Sequence, residues 1–146
     1  MIPGRDAEAG ILRFADALIW NWLIGGTDAH AKNYSLLLRG SVVRLAPLYD
    51  ITSGLPYGNP HDLRMAMKLD DSYRLIAHRN PWPAVARMIG VPAEALVERA
   101  RHLCTAAPEA FAIAAADAGV QALARKSTAR LVTHVERAAT RCAKLL

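Results

Sequence analysis

Apolar residues recur at helical spacing near the beginning of the chain. The recurring positions are Ile11, Leu12, Ala15, Leu18, Ile19, Trp22 and Leu23. Spacings of three and four residues are typical of an amphipathic helix with one buried face. Gly25 and Gly26 follow this run, and glycine commonly closes a helix because it adopts the left-handed conformation. The pattern therefore predicts a buried helix that ends just before Asp28. Trp20 lies on a different face from Trp22 and fits either core packing or contact with another lobe.

Two short β-prone runs come next. Residues 34–38 and 42–45 are mostly apolar, and Arg39-Gly40-Ser41 between them has the composition of a turn. Two such runs joined by a short turn that contains glycine predict a β-hairpin. A hairpin at this point would return Asp50 to the neighbourhood of Asn33.

A loop and several helices are predicted for the remainder. Glycine, proline and asparagine punctuate the loop from Ser53 to His61, which is either a substrate or activation loop or an ordinary connection. Residues 65–69 are expected to form a short ordered element, in which a solvated Lys68 is preferred over a role in the site. The later helices are expected at residues 82–89, from Pro92 to a break at Pro108, at residues 109–118 up to Gly119, and from near Ser127 toward Leu145.

The spacing of three polar residues suggests a chemistry. Asn33 stands five positions after Asp28, and Asp50 follows the predicted hairpin. Phosphoryl transfer from ATP needs one carboxylate to accept the proton of the attacking hydroxyl, together with an amide oxygen and a second carboxylate to hold magnesium. The pattern is therefore a candidate kinase catalytic loop followed by a metal-binding aspartate.

Three segments carry a resemblance to a known family. Residues 21–35 (NWLIGGTDAHAKNYS) closely resemble the catalytic segment of HipA-like kinases, the toxins of bacterial type II toxin–antitoxin systems. Residues 44–51 (RLAPLYDI) look like the metal-binding segment of that family, and residues 63–68 (LRMAMK) resemble a further stretch. The resemblance extends from about Ala9 to the end of the chain. It implies one HipA-like C-terminal domain over residues 1–146, with a mainly α, kinase-like C-terminal lobe and one small β-hairpin between the catalytic loop and the metal-binding aspartate.

The resemblance also assigns roles to individual residues. Asp28 matches the catalytic aspartate, and Asn33 and Asp50 match the residues that bind Mg²⁺ and thereby ATP. His30 would contact the γ-phosphate or orient Asp28. Ile51 and Thr52 follow Asp50, so the literal DFG sequence of protein kinases is absent, as it is in HipA-like kinases.

The nucleotide-binding half of a kinase is not evident in this sequence. Only ten residues precede the first helical run, the nine glycines are scattered, and no candidate strand lysine comes before Asp28. The expectation is a C-terminal lobe that is a poor kinase or no kinase on its own. It would be the product of a truncated gene, one half of a split kinase with a separate N-terminal lobe chain, or an excised domain. The resemblance implies Ser/Thr phosphorylation of a protein substrate, such as an aminoacyl-tRNA synthetase. It also implies a HipB-like antitoxin partner, with DNA bound only through that antitoxin.

Other functions are open from the residues alone. A catalytically dead remnant or an antitoxin-binding interaction module is the main alternative. A basic helical nucleic-acid binder would rest on the charge and the arginine-rich last helix. A hydrolytic metal site at His61 and Asp62, or at Asp28 and His30, is disfavoured because further ligands at suitable spacing are missing.

Composition, charge and cysteine content indicate the class of protein and the compartment that we expect. The 146 residues are 53% hydrophobic and 21% charged, with a net charge of +5 and a pI near 9.6, which fits one globular domain. We interpret the excess charge as a solvated basic face, with attraction of ATP, an acidic partner or antitoxin-bound DNA as alternatives. Cys104 and Cys142 fit two buried reduced thiols better than a disulfide between the last helices. The charged start of the chain does not resemble a signal peptide, and no apolar run predicts a membrane span, so a bacterial cytoplasm is expected.

Overall fold

A computed structural model describes residues 4–40 and 42–146, and the side chains from Ala7 onward within those ranges. Ser41 of the predicted turn and the first three residues of the predicted domain lie outside the described residues. The elements are α1 (Gly4–Ile24), a 3-10 turn (Ala31–Asn33), β1 (Leu36–Arg39), β2 (Val42–Leu45), β3 (Arg64–Leu69), β4 (Ser72–Arg74), α2 (Trp82–Ile89), α3 (Ala93–Ala115) and α4 (Ala118–Ala143). The prediction of a mainly α fold is confirmed.

The structure has two small β-hairpins among the described residues, so the prediction of one is corrected. β1 pairs antiparallel with β2, as predicted. β3 pairs antiparallel with β4 in a separate two-stranded sheet. The first strand of this second hairpin was predicted only as a short ordered element. Its partner is three residues long and follows a pair of aspartates, a length at which strand patterning carries little signal.

α1 passes through the centre of the hydrophobic core. Its buried face packs against α3 and α4, and Trp22 contacts Trp82 of α2 edge to face, with ring centroids 5.3 Å apart. The indole N–H of Trp22 donates to the carbonyl oxygen of Leu75 at 3.1 Å. The largest completely buried side chains of the core are Ile19, Trp22, Leu23, Leu55, Leu75, Trp82, Val85, Leu96 and Val135. The predicted helical face of α1 is thus the centre of the fold.

The end of α2 agrees with the prediction, and the end of α3 does not. α2 ends at Gly90 as predicted, with a left-handed φ of 74°. Pro108 does not break α3, which continues through it to Ala115. A proline inside a helix removes one hydrogen bond, but Cys104 and Ala107 on this stretch are buried in the core. Packing of that face offsets the local cost.

α4 begins earlier than predicted. Asp117 caps its first turn, and its carboxylate accepts hydrogen bonds from the backbone N–H groups of Gly119 (2.9 Å) and Val120 (3.1 Å). Gly119 therefore lies inside the first turn and does not end a helix. Ala124 has non-helical φ and ψ of −148° and 30°, so the regular second part starts close to the predicted position near Ser127.

Two further predictions concern side chains in the helical part. Trp20 is half-buried and stacks on Phe111, with centroids 5.6 Å apart, which supports core packing for this residue. Cys104 and Cys142 are both buried and free. Their hydrogen bond lowers the pKa of the Cys104 thiol, and the same bond together with burial raises the pKa of the Cys142 thiol.

Among the described residues, no single helix has the length and apolar character to cross a membrane. α3 and α4 together meet the length and composition criteria, but a bend of 117° separates them.

Gly25 provides a test of the helix end on which the fold depends. Its φ is 68°, and a Cβ at this position would lie 2.7 Å from Cγ of Leu55. We expect Gly25→Ala to lower the free energy of unfolding by about 3 kcal/mol, because left-handed strain and overpacking of the core add together.

Gly90→Ala is the matched control. Gly90 has a similar φ of 74°, but among the described residues no atom beyond its immediate chain neighbours and helix backbone lies within 4 Å of its Cβ position. Only the strain of about 1 kcal/mol therefore applies. Urea unfolding of both variants measures the difference. Equal losses would show that contact with Leu55 does not constrain Gly25.

Candidate active site

The loop that carries Asp28 begins where α1 ends. The N–H of Gly26 donates to the carbonyl of Asn21 at 2.7 Å, which closes the last turn of the helix around Gly25. Ala29 then donates to Gly26 (3.2 Å), and the backbone N–H of His30 donates to the carbonyl of Asp28 (2.8 Å). Consecutive tight turns therefore hold the short segment after a buried helix, and the Asp28 side chain is exposed.

Asn33 connects the two aspartates of the predicted site. It is one of two buried polar side chains among the described residues, with 7% of its surface exposed. Its amide group donates to a carboxylate oxygen of Asp50 at 3.1 Å and lies 3.5 Å from the backbone carbonyl of Asp28. The prediction that the hairpin returns Asp50 to Asn33 is confirmed. The catalytic and metal-binding roles of these residues stay predictions.

The β1–β2 hairpin determines where Asp50 lies. Leu36 pairs with Leu45 at the open end of the hairpin, and the N–H of Ala46 donates to the carbonyl of Ser35 at 2.8 Å. Asp50 itself has a positive φ of 55°. Non-glycine residues in this region are uncommon and carry strain that persists where the surroundings enforce it.

Tyr49 holds this end of the hairpin on the 3-10 turn. Its hydroxyl donates to the carbonyl of Lys32 at 2.7 Å and lies 2.8 Å from the hydroxyl oxygen of Ser35. The residues on both sides of Asn33 are thus tied to the residue before Asp50. The sequence around Tyr49 gives no sign of this positioning role, since nothing in the local pattern distinguishes it from an ordinary exposed tyrosine.

A second tether connects α1 to the segment that follows Asp50. The hydroxyl of Ser53 donates to the carbonyl of Ile24 at 2.6 Å, and the N–H of Gly54 donates to the carbonyl of Gly25 at 2.8 Å. Leu55 is buried directly over Gly25. The segment that precedes Asp28 and the segment that follows Asp50 are therefore both anchored on the end of α1.

Asn21 and Tyr34 support the loop from beneath. The amide of Asn21 donates to the carbonyl of Ala17 (3.0 Å) and to the hydroxyl of Tyr34 (3.1 Å). Tyr34 also contacts Phe14 edge to face, with centroids 5.0 Å apart. Burial raises the pKa of Tyr34, and the hydrogen bond from Asn21 opposes that rise. The presence of an asparagine on the apolar face of a helix is the one feature of the sequence that indicates this contact.

His30 lies in the loop with its ring partly buried. Its Nδ1 atom is enclosed and has no hydrogen-bond partner among the described residues. The contact between His30 and Asp28 is made by backbone atoms, and no hydrogen bond joins the imidazole to the Asp28 carboxylate in the described part of the chain. The expected contact with a phosphate or with Asp28 is therefore still a prediction.

The donor atoms of the site suit a hard divalent cation. Asp28 and Asp50 present exposed carboxylates, and Asn33 adds an amide beside one of them. Oxygen donors of this kind are the ligands that Mg²⁺ prefers, with water and phosphate oxygens completing its octahedron. No group of three or more His, Cys, Asp or Glu residues suited to a metal occurs among the described residues. An ion here would rely on the amide and on ligands from a bound phosphate.

Comparisons with known proteins identify relatives of this chain. The sequence profile of the HipA-like C-terminal domain family matches residues 2–111. A putative kinase, Y4mE, of Sinorhizobium fredii is 32% identical over 103 residues, which cover 70% of this chain and 24% of the relative. The serine/threonine-protein kinase toxin HipA of Shewanella oneidensis is 30% identical over 109 residues, or 73% of this chain and 24% of the relative.

A solved structure confirms the fold. HipA in the complex of HipA, HipB and operator DNA from Shewanella oneidensis matches with a TM-score of 0.68 and 24% identity. The match covers 89% of this chain and 30% of that chain. This chain thus corresponds to about a quarter of the length of the curated relatives that it matches.

The amide of Asn33 gives a test of the site that needs no activity. We expect Asn33→Asp to lower the free energy of unfolding by about 1–3 kcal/mol at neutral pH, because a buried donor to Asp50 is replaced by a second carboxylate.

Asn59→Asp is the control for the same change of chemistry. The side-chain oxygen of Asn59 accepts a hydrogen bond from the N–H of His61 at 3.1 Å in an exposed turn, a role that a carboxylate fills equally well. Denaturant unfolding compares the two variants. An Asn33→Asp protein as stable as the control would mean that the contact with Asp50 does not stabilise the site.

Proposed function

Because the chain belongs to the HipA-like C-terminal domain family, we propose that it is the catalytic lobe of a serine/threonine protein kinase. In this proposal the whole chain forms one lobe, which transfers the γ-phosphate of ATP to a hydroxyl group of a protein substrate. The observation that carries the proposal is the amide of Asn33, which lies between the Asp28 backbone and the Asp50 carboxylate. An asparagine and an aspartate are the residue types that hold magnesium in protein kinases, and here they lie side by side.

Asp28 would act as the general base. Its exposed carboxylate accepts the proton of the substrate hydroxyl while the hydroxyl oxygen forms a bond to the γ-phosphorus. The bond from that phosphorus to the bridging oxygen breaks at the same centre, and ADP leaves with the electron pair. The short turns around Asp28 hold the base in place, and positioning is the main contribution that a protein makes to this reaction.

Asn33 and Asp50 would hold Mg²⁺ through the amide oxygen and the carboxylate. The ion supplies neutralisation of negative charge on the phosphates. The hydrogen bond from the Asn33 nitrogen to Asp50 orients both groups, and the Tyr49 hydroxyl keeps the adjoining backbone beside Lys32. His30 would contact the phosphate or orient Asp28 after a movement that gives its ring nitrogen a partner.

The nucleotide would also need a covering lobe. Kinases grip the phosphates with a glycine-rich loop and a strand lysine, and this chain corresponds to about a quarter of the length of its curated relatives. We propose that such an N-terminal lobe, in a larger polypeptide or a separate chain, completes the enzyme in the bacterial cytoplasm.

The proposed partners follow from the relatives. The Shewanella oneidensis structure contains HipB and operator DNA together with HipA, which supports a HipB-like antitoxin partner for this chain and DNA contact through that antitoxin. The resemblance favours a protein substrate of translation, such as an aminoacyl-tRNA synthetase. An antitoxin-binding module without catalysis is the second candidate, and the same complex favours it.

Substitution of the base tests the catalytic proposal. The chain is co-expressed with the polypeptide encoded directly upstream, and incorporation of the γ-phosphate of labelled ATP into protein is measured. We expect Asp28→Asn to lower the rate by about 10²–10⁴-fold, the usual contribution of a general base. Glu109→Gln, an equivalent change at an exposed position of α3, should leave the rate unchanged.

The outcomes separate the two candidates. Persistence of full activity in Asp28→Asn would remove Asp28 as the base. A wild-type pair that transfers no phosphate, yet binds a HipB-like protein, would establish the interaction module instead.

Metal binding can be measured on the chain alone. We expect paramagnetic Mn²⁺, a substitute for Mg²⁺, to broaden the backbone NMR signals around Asn33 and Asp50 first. Asp50→Asn should weaken this effect about tenfold, since it removes the charged ligand. Broadening that is unchanged in Asp50→Asn, or centred on the loop around His61 and Asp62, would refute the assignment.

A further inference from the structure

Two arginines face each other at the open end of the second hairpin. Arg64 of β3 pairs directly with Arg74 of β4. Directly opposite residues of an antiparallel pair have their Cβ atoms about 4.5–5.5 Å apart, and like charges at such positions destabilise the sheet. Both side chains are exposed. The hairpin therefore brings two positive charges together at a cost to its own stability.

No carboxylate forms an ion pair with Arg64 or Arg74 within the described residues. The turn at the other end of the hairpin is different, because Asp70 accepts two hydrogen bonds from the guanidinium of Arg79, at 2.7 and 3.2 Å. Opposite charges are thus paired at the turn of this hairpin, where Arg79 also lies 3.9 Å from Asp71, whereas two like charges face each other at its open end.

The backbone beneath the two arginines is firmly held. Leu75 follows Arg74 and is completely buried, and its carbonyl accepts the indole hydrogen bond of Trp22. The N–H of Leu75 donates to the carbonyl of Leu63, which precedes Arg64, at 3.1 Å. Since neighbouring residues of a strand point to opposite faces, burial of Leu75 directs Arg74 outward. The backbone that carries the two arginine side chains is therefore held in place.

A concave pocket of about 280 Å³ lies at this place, lined by His61, Asp62, Leu63, Arg64 and Arg74. His61 adds a third nitrogen-bearing side chain, and its backbone N–H is held by the Asn59 side chain. Asp62 contributes one negative charge to the rim without forming an ion pair with either arginine. Two guanidinium groups therefore retain an excess of positive charge in the pocket.

We propose that this pocket binds a phosphate monoester dianion. A phosphate monoester carries a charge of about −1.5 to −2 at neutral pH with three acceptor oxygens, which matches two opposed guanidinium groups better than a single carboxylate does. Arginine also binds phosphate through two parallel hydrogen bonds. A bound dianion would attract both guanidinium groups and so offset the repulsion between Arg64 and Arg74. The phosphate is carried by a polypeptide side chain or is free in solution.

The site is separate from the proposed phosphoryl-transfer site in its residues. It shares none of Asp28, His30, Asn33 or Asp50. Phosphate binding to this pocket can be measured without a nucleotide and without any phosphoryl transfer. The loop that leads to it begins at Asp50 and is anchored on the end of α1 through Ser53 and Gly54. A phosphorylated polypeptide held there would lie along the chain segment that follows the proposed metal ligand.

The test is an NMR titration of the whole chain at constant ionic strength. The probes are inorganic phosphate, a short glycine-serine peptide with one phosphoserine, the same peptide without phosphate, and a duplex DNA oligonucleotide. We expect saturable shifts at His61, Arg64 and Arg74 with both phosphate probes and none with the plain peptide. Arg64→Gln and Arg74→Gln should each weaken binding about tenfold or more, as expected for lost charge-assisted hydrogen bonds.

Arg87→Gln, at an exposed position of α2, is the matched control and should bind phosphate as the unsubstituted chain does. Tighter binding of the phosphopeptide than of inorganic phosphate would identify a polypeptide-borne ligand, and equal binding would identify free phosphate. Unchanged binding in both Arg64→Gln and Arg74→Gln would overturn the proposal. So would a preference for DNA that Arg87→Gln weakens equally, because that result describes a diffuse basic surface.

Thermal unfolding at low salt gives a second readout. Removal of one charge from the opposed pair should leave the midpoint unchanged or raise it. Added phosphate should raise the midpoint of the unsubstituted chain and of Arg87→Gln, and should raise the midpoints of Arg64→Gln and Arg74→Gln much less. A phosphate-induced rise of equal size in Arg64→Gln would also contradict the site.

Discussion

The end of α1 is the point on which the rest of the structure depends. Gly25 closes the helix with a left-handed φ, and Leu55 and Leu75 cover it so closely that a methyl group would not fit. The carbonyls of Ile24 and Gly25, which a helix end leaves without partners, accept hydrogen bonds from Ser53 and Gly54. One helix end thereby fixes the segment before Asp28 and the segment after Asp50.

Burial decreases outward from this point. The core beneath the loop consists of completely buried aromatic and aliphatic side chains around Trp22. The β1–β2 hairpin, in contrast, exposes Leu36, Leu37 and Leu38 by 60%, 56% and 75%. A two-stranded hairpin has little stability of its own, so its base must be held by other contacts. Tyr49 and the hydrogen bond from Ala46 to Ser35 supply them, and they do so next to Asn33, where position matters for the proposed chemistry.

The sequence predicted the elements whose signals are local. The apolar period of α1, the paired glycines at its end and the turn composition near Gly40 each reflect short-range physics, and α1, its closure and the first hairpin were found from them. Pro108 and Gly119 predict helix breaks because the intrinsic preferences of proline and glycine are strong. Burial of Cys104 and Ala107 and the cap from Asp117 outweigh those preferences. These contacts arise only after the chain has folded.

The same division applies to the candidate site. The residue types and spacing of Asp28, Asn33 and Asp50 pointed to a shared location, since a hairpin between them has few ways to close. The groups that hold them there could not be found in this way. Tyr49 acts through its hydroxyl on a backbone carbonyl seventeen residues away, and Asn21 donates a hydrogen bond to the hydroxyl of Tyr34, thirteen residues away. A hydrogen bond to a backbone carbonyl places no demand on the identity of the accepting residue. It therefore leaves no mark on the sequence at Lys32, although the geometry of the site depends on it.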